Sequence, residues 1–460
     1  MDLIRPGRAY SRHMPFVGTT VFLWFSPTEG NVSGPWKPLE GRPAWTGEPD
    51  FWVGQIKQIM MANIDAVYVH CINNFEPQRV NFFRACNQLR REGWEIPKIV
   101  PFLDPFYLWR TAPINVATRA GKDEYVRHYI RFYDQYFSEN DDQLASTQLL
   151  HIDGKVVVAS WWAYSMLLNL TDLTRKDIER RLKATLGKRL PSLREGIYMM
   201  STALIDPDYR FTDERMIMFS GYTYAMHCMH KMIDVWHVQP GYWDQNIRNP
   251  GFFLPRDGGR NYRNAWDVVV HNIRDYREAS RNVAPDARYV HRVYVESWNE
   301  YDEGSGIYAA DLRPPLVNDS MHSNTDAFST DNDPFEYINT TARGAARINA
   351  RPENDAVILG VEAPSSAKAG TEAEVCVVVR NEGNERWTGA KGYSLRVGED
   401  RLIPIDDQAD EIPLYGGIFR GRPVTFRFSV PVNGAPNIEI FMVKNGVPFG
   451  EKVTLSIKAA

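Results

Sequence analysis

Apolar residues fall along this chain in two textures. Up to about residue 345, short runs rich in Val, Ile, Phe and Met alternate with longer stretches whose apolar positions recur every three or four residues. The runs are Phe16–Phe25, Asp65–His70, Lys98–Asp104, Lys155–Trp162, Gly196–Thr202, Met216–Ser220, Ile233–Pro240 and Arg288–Trp298. Most lack strict alternation, which is the pattern of parallel strands covered on both faces. Between them, Phe51–Ala62, Val80–Arg91, Glu124–Phe137 and Ala265–Arg277 carry the helical period. Eight strands alternating with helices predict a (β/α)8 TIM barrel over residues 1–345. A doubly wound sheet is the alternative, but no G-x-G-x-x-G or G-x-x-x-x-G-K phosphate loop follows any strand.

Residues 314–352 are rich in Asn, Asp, Ser, Thr and Pro and read as surface chain running into a linker at 346–355. From about Ala356 to residue 460 the texture changes to short alternating strands separated by turn residues, about seven in about a hundred residues. That spacing predicts an all-β, immunoglobulin-like sandwich as a second domain.

Composition excludes several classes. With 43% hydrophobic and 24% charged residues the chain is globular, and its net charge of −4 leaves no basic footprint for nucleic acid. No segment approaches the roughly 18 apolar residues that membrane insertion needs. The N-terminus M-D-L-I-R-P-G-R lacks a signal-type hydrophobic stretch, so a cytoplasmic location and a removed export signal both stay open. Cys71, Cys86, Cys228 and Cys376 form no C-x-x-C pair and read as buried thiols. His227 and His230 have a metal-capable i, i+3 spacing, but no third ligand accompanies them. Neither a metal nor an organic cofactor is expected, and oligomeric state is not legible.

In a β/α barrel the chemistry sits at the C-terminal ends of the strands. Applied here, that rule collects Trp24, His70, Asn73, Asp104, Trp161, Trp162, Thr202, Tyr222, Gln239, Trp243 and Asp244, with His237 on the seventh strand. Aromatic faces among them suit sugar rings. The eighth strand stands apart: V-Y-V-E-S-W-N-E-Y-D-E-G-S-G places Glu296, Glu300 and Glu303 beside Trp298, Asn299, Tyr301 and Asp302. A strand-end acidic cluster is often only solvated, or bound to a cation. Glycoside cleavage, however, needs one carboxyl to donate a proton and a second held ionised near the ring. On a continuing strand, positions 300 and 303 would lie about 10 Å apart on opposite faces. Both reach one cleft only if the chain turns after Glu300, and Gly304 and Gly306 permit that.

The segment V-E-S-W-N-E-Y-D-E-G-S-G-I resembles the S-(W/F)-N-E-W-x-E-G-(T/S)-x-I segment of endo-α-mannosidase-like glycoside hydrolases, family 99 and its WbsX-like relatives. V-Q-P-G-Y-W-D-Q-N-I-R-N-P-G and H-I-D-G-K-V-V-V resemble two further segments of that group, in the same family. Tyr301 stands where the family has Trp, the E-P pair that follows in the family is absent, and the first strand reads F-L-W-F-S-P. The resemblance implies that Glu303 protonates the departing sugar oxygen and later activates water. It implies that Glu300 assists the sugar's own 2-hydroxyl, through an anhydro-sugar intermediate, with retention. Trp24, His70, Asp104, Trp162, His237, Trp243, Asp244, Glu296, Trp298, Asn299 and Tyr301 are then the expected substrate-binding set. N-E-G-N-E-R-W-T, ending at Thr388, resembles a signature of bacterial Ig-like domains appended to secreted carbohydrate enzymes, which favours an extracellular or periplasmic location. The expected partner is a polysaccharide or oligosaccharide. Two rivals remain: a glycosyltransferase-like role in surface-polysaccharide assembly, and a non-catalytic glycan-binding barrel.

Overall fold

A computed structural model describes residues 1–23, 36–39, 47–71, 76–104, 113–139, 147–161, 167–202, 210–216, 225–226, 234–245, 247–280, 292–312, 327–349, 351–405, 416–432 and 437–460. The chain divides into two compact units. One comprises Arg8–Asn87 and Pro97–Ala350; the other comprises Met1–Gly7, Gln88–Ile96 and Arg351–Ala460.

The first unit is built on eight parallel strands. They are β1 (Val17–Val21), β2 (Ala66–His70), β3 (Lys98–Leu103), β4 (Lys155–Ser160), β5 (Ile197–Thr202), β6 (Glu214–Met216), β7 (Trp236–Val238) and β8 (Val293–Val295). They pair in the order β6-β5-β4-β3-β2-β1-β8-β7. At the remaining seam the Asp234 N–H donates to the Arg215 carbonyl at 2.7 Å, and the Asp234 carboxylate accepts the Arg215 N–H at 2.7 Å. The sheet thereby closes on itself as the TIM barrel expected from the β/α alternation.

Helices α1 (Pro49–Met61), α2 (Glu76–Arg91), α3 (Arg119–Glu139), α4 (Arg175–Leu186), α5 (Arg260–Ser280) and α6 (Glu336–Ile348) accompany the strands. Two starts show a local cause. Pro49 opens α1 with no N–H to lose, and Thr174 with Asp177 forms a capping box on α4. Helix α3 buries Tyr125, Tyr129, Phe132, Tyr133 and Tyr136 on one stripe, the face its period predicts.

Alternation along the strands decides what fills the barrel. Phe16, Ala66, Tyr68, Val100, Phe102, Val157, Ala159, Tyr198, Met200, Met216, Val235 and Tyr294 form one buried cluster. Gly18 faces this interior: a Cβ there would meet the Tyr68 ring at 2.6 Å, so glycine is what lets that ring cross the barrel. Continuing the same face by two residues brings His70, Asp104, Trp161, His237 and Glu296 to the C-terminal mouth. Near the N-terminal end of β8, Arg292 is ion-paired with Glu214 and lies 4.6 Å from the Phe16 ring centroid. Glu214 also accepts the Tyr198 hydroxyl. The sixth strand is described from Glu214 to Met216, two residues ahead of its expected start, and the rest of the expected run, 217–220, lies outside the described residues. Its first two residues are charged and buried, Glu214 against Arg292 and Arg215 beside Asp234, so hydropathy alone reads them as polar.

In the second unit, strands β9 (Ala356–Glu362), β10 (Glu372–Asn381) and β13 (Pro423–Pro431) form one antiparallel sheet. Strands β12 (Arg401–Pro404), β11 (Tyr393–Val397), β14 (Ile438–Lys444) and β15 (Val447–Leu455) form another. Alternate residues of the two sheets, among them Val375, Val377, Val379, Leu395, Phe426, Phe428, Ile440 and Met442, share one core, as in a β-sandwich. Within N-E-G-N-E-R-W-T, Asn381 binds the Glu385 and Ile418 carbonyls and accepts the Gly383 N–H. Trp387 is fully buried and stacks on Tyr393. That segment folds as a tight turn that delivers a tryptophan to the core.

Candidate active site

The acidic cluster follows β8. Glu296 extends the pairing, its N–H donating to the Val238 carbonyl at 2.9 Å, and the Glu296–Ser297 peptide is cis. The chain then doubles back. Ser297 N–H meets the Ser305 carbonyl at 2.9 Å and Ile307 N–H meets the Ser297 carbonyl at 3.0 Å. Ser297 Oγ accepts the Glu300 N–H at 2.9 Å, which starts the turn. Gly304 completes it in the left-handed region at φ 57°, packed against Trp243 and Trp36. Glu300 and Glu303 are thus carried on one turn and not on a strand.

Two groups fasten that turn from outside. The Trp243 N–H donates to the Glu303 carbonyl at 2.7 Å, from a short strand Tyr242–Trp243 paired with Phe253–Leu254. Arg256 is fully buried, and its Nη2 donates to the Gly304 and Gly306 carbonyls at 2.8 and 2.7 Å. Its guanidinium lies 4.5 Å from the Trp36 centroid, 4.5 Å from Tyr337 and 5.0 Å from Phe328. An aromatic box of this kind stabilises a cation removed from water.

The carboxyls are electrostatically linked. Burial pushes the Glu300 carboxyl well above the usual range, and repulsion from Glu303 and then Asp302 adds to it. Burial also raises Glu303, but Arg248 opposes the shift while Glu296 reinforces it. Arg248 Nη2 donates to Glu303 Oε1 at 2.5 Å, and its Nη1 donates to Asp244 Oδ2 at 2.5 Å and the Tyr242 oxygen at 2.7 Å. Asp244 is held in turn by the Phe252 N–H. The Glu303 side chain keeps 13% of its surface exposed whereas Glu300 keeps 2%, so Glu303 reaches outward and Glu300 lies beneath.

His237 and Glu296 meet at the barrel mouth, Nε2 to Oε2 2.8 Å, and neither is exposed. His70 stacks on Phe102 and stands 3.9 Å from Asp104. Burial, and then the nearby Arg79, push the His70 imidazole well below its usual value. An imidazole beside a carboxylate suits hydrogen bonding to hydroxyls.

The expected substrate set divides. His70, Asp104, His237 and Glu296 gather at the mouth, and Asp244 stands behind Arg248. Trp24 and Trp162 lie outside the described residues, as do Asn73, Tyr222, His227 and His230. Four more members of that set are buried and make their contacts within the protein. Trp298 is unexposed and donates to Gln55 of α1. Asn299 exchanges two 2.8 Å bonds with the Phe22 backbone and so ties the turn to the end of β1. Trp243 is 1% exposed beneath Gly304, and Tyr301 is unexposed, edge-on to Tyr308 at 4.5 Å. Sequence reasoning missed Arg248, Tyr242, Ser297 and Arg256. Arg248 was legible as the position four after Asp244 within Y-W-D-Q-N-I-R; nothing marked Arg256. Among the described residues no group of three or more His, Cys, Asp or Glu could hold a metal ion.

No family model and no curated protein matches this sequence. Solved structures do. The GH99 endo-alpha-mannosidase from Bacteroides thetaiotaomicron aligns with TM-score 0.50 at 12% identity, over 73% of this chain and 97% of that one. The same enzyme in complex with BIS-TRIS-propane aligns with TM-score 0.48 at 12% identity, over 73% and 97%. A glycoside hydrolase-like protein aligns with TM-score 0.46 at 15% identity, over 74% and 97%. The first alignment establishes a shared fold, the one that N-E-Y-D-E-G led us to expect.

Proposed function

We propose that the barrel hydrolyses a glycosidic bond in a polysaccharide or glycan, with Glu300 and Glu303 as the working pair. The observation that carries this reading is the turn after β8, which sets two mutually repelling carboxyls on one short segment, with Arg248 on the outer one. Burial and repulsion raise the proton affinity of such a pair, and an acid with a neighbouring carboxylate is what glycoside cleavage requires.

In the route the resemblance implies, Glu303 gives its proton to the departing oxygen as the C1–O bond breaks. Glu300 takes the proton of the sugar's 2-hydroxyl, whose oxygen bonds C1. Water then adds to C1 as the C1–O2 bond opens. The water proton passes to Glu303, and Glu300 returns its proton to O2. The product keeps its anomeric configuration. We place this chemistry outside the cytoplasm and read the sandwich as an Ig-like spacer or cover, on the N-E-G-N-E-R-W-T resemblance.

The test is a panel of polysaccharides assayed for new reducing ends, followed by the anomer of the first product. Wild-type protein is expected to release ends with retention. The variant Glu303→Gln should bind the same polysaccharide and lose turnover by about a hundredfold or more. Unchanged turnover in that variant would overturn the assignment. Release that requires a nucleotide sugar would favour the glycosyltransferase reading, and binding without release the glycan-binding one.

A further inference from the structure

The proposed route makes opposite demands on Glu303: neutral when the leaving oxygen departs, charged when water attacks. In the structure its Oε1 accepts from Arg248 Nη2 at 2.5 Å. A guanidinium at that distance stabilises the charged form, whereas among the described residues no cation pairs with Glu300, the more deeply buried partner. The arrangement therefore suits the second half of the route, with the shared proton on Glu300.

We propose that Arg248 is a positioning residue that determines which carboxyl of the Glu300–Glu303 pair holds the shared proton, and that its withdrawal from Glu303 Oε1 arms Glu303 as the acid. This inference rests on the hydrolytic reading above. The geometry suits such a device. Arg248 lies in the loop after β7, its side chain is 48% exposed, and it is gripped on the far side by Asp244 Oδ2 at 2.5 Å and Tyr242 at 2.7 Å. Asp244 is therefore a second anchor to which the guanidinium can hold when Glu303 lets go. A sugar whose departing oxygen takes the Glu303 oxygen as its hydrogen-bond partner competes directly with Arg248 Nη2. As the guanidinium withdraws, the proton on Glu300 passes to Glu303, and Glu300 becomes the base that the 2-hydroxyl needs. On return, Arg248 stabilises the Glu303 carboxylate left after the oxygen departs, and that carboxylate then takes the proton of the attacking water.

Among the described residues, the charged and titratable groups around Glu303 are few. Glu300 and Asp302 share its turn, Glu296 faces it from the end of β8 with His237 behind, and Tyr242, Asp244 and Arg248 face it from the loop after β7. Two permanent cations among the described residues face this turn: Arg256 donates to the Gly304 and Gly306 carbonyls, and Arg248 donates to the Glu303 carboxylate itself, so removing the Arg248 charge has a definite sign: Glu303 gains proton affinity and Glu300 gives it up.

The experiment reads protons without any substrate. Protein labelled with 13C at the glutamate carboxyls is titrated by NMR, with the two signals assigned by their loss in Glu300→Gln and Glu303→Gln. In wild-type protein Glu300 is expected to carry the upper titration step. In Arg248→Gln, Glu303 should take it over, moving up by about one to three pH units, while Arg248→Lys, which keeps the charge, restores the wild-type order. Should Arg248→Gln fail to fold, Asp244→Asn carries the test: an Arg248 relieved of its second anion should lower the Glu303 step. An unchanged order in Arg248→Gln, or an unmoved Glu303 step in Asp244→Asn, would overturn the proposal. Either result leaves the hydrolytic reading standing, since that reading fails only if reducing ends do not appear or Glu303→Gln still turns over.

Discussion

At the residue scale, Glu296 shows how much of the site rests on single contacts. It has no exposed surface, and His237 supplies a 2.8 Å partner from the neighbouring strand. Removing one member of a buried pair leaves the other without its compensation, at a cost of about 3 to 5 kcal/mol. His237→Leu should therefore destabilise the barrel by up to about that amount in chemical denaturation. The double variant His237→Leu with Glu296→Leu should recover much of the loss, because both polar groups are gone. Simple addition of the two single effects would show that the contact is not what holds Glu296 in place. The buried aromatics of the site belong to this scale as well. Trp243 and Trp298 stand in the same segments as the carboxyls, and type and position alone do not tell a sugar platform from a wedge beneath a turn. Only packing decides, and it gives Trp298 to Gln55 and Trp243 to Gly304.

At the element scale, the turn 300–306 converts a strand end into a site. Arg256 supports it through two carbonyls and a box of three aromatic rings. Arg256→Met keeps volume and removes the donors, leaving the Gly304 and Gly306 carbonyls in need of new partners. We predict a drop in kcat of about tenfold to a hundredfold, since displacements near 1 Å are enough for that, with a smaller change in KM. A variant with wild-type kcat would show that the turn keeps its shape without Arg256. Much of this element was readable beforehand. Apolar, β-branched strands covered on both faces announce themselves, and glycines after Glu300 announce a turn. What hydropathy could not find was charge placed inside: Glu214 and Arg215 carry the sixth strand two residues ahead of its apolar run, and Arg256 looked like any loop arginine, since its three aromatic neighbours come from residues 36, 328 and 337. Contacts across such sequence separations leave no local signal.

At the scale of the whole molecule, each compact unit holds buried carboxyls whose proton affinity folding raises. In the unit that holds the sandwich, Glu382 is bound by Arg380 at 2.6 Å and Arg351 at 3.3 Å and faces Glu95. Burial first, then repulsion from Glu95, push its carboxyl up to about 8. Its folded value thus lies above the unfolded one, so folding tightens the proton. The stability this contributes is complete below the usual carboxylate range and is lost as pH rises towards about 8. Thermal melting of the wild-type protein should therefore decline between pH 5 and pH 8, and Glu382→Gln, which cannot ionise, should flatten that decline. An equal slope in both proteins would exclude Glu382 as its source. The barrel carries the corresponding feature in Glu300 and Glu303, where the raised proton affinity belongs to proposed chemistry.

The account stands on one claim, that Glu300 and Glu303 act together on a single linkage. Residues that work as a unit lose nothing further when the second is removed after the first. Reducing-end release from the best polysaccharide should be measured for Glu300→Gln, Glu303→Gln and the double variant, each checked for folding. The prediction is that all three are slowed by about a hundredfold or more, the double no worse than the slower single. Losses that multiply in the double variant, or a single variant as fast as wild type, would contradict it.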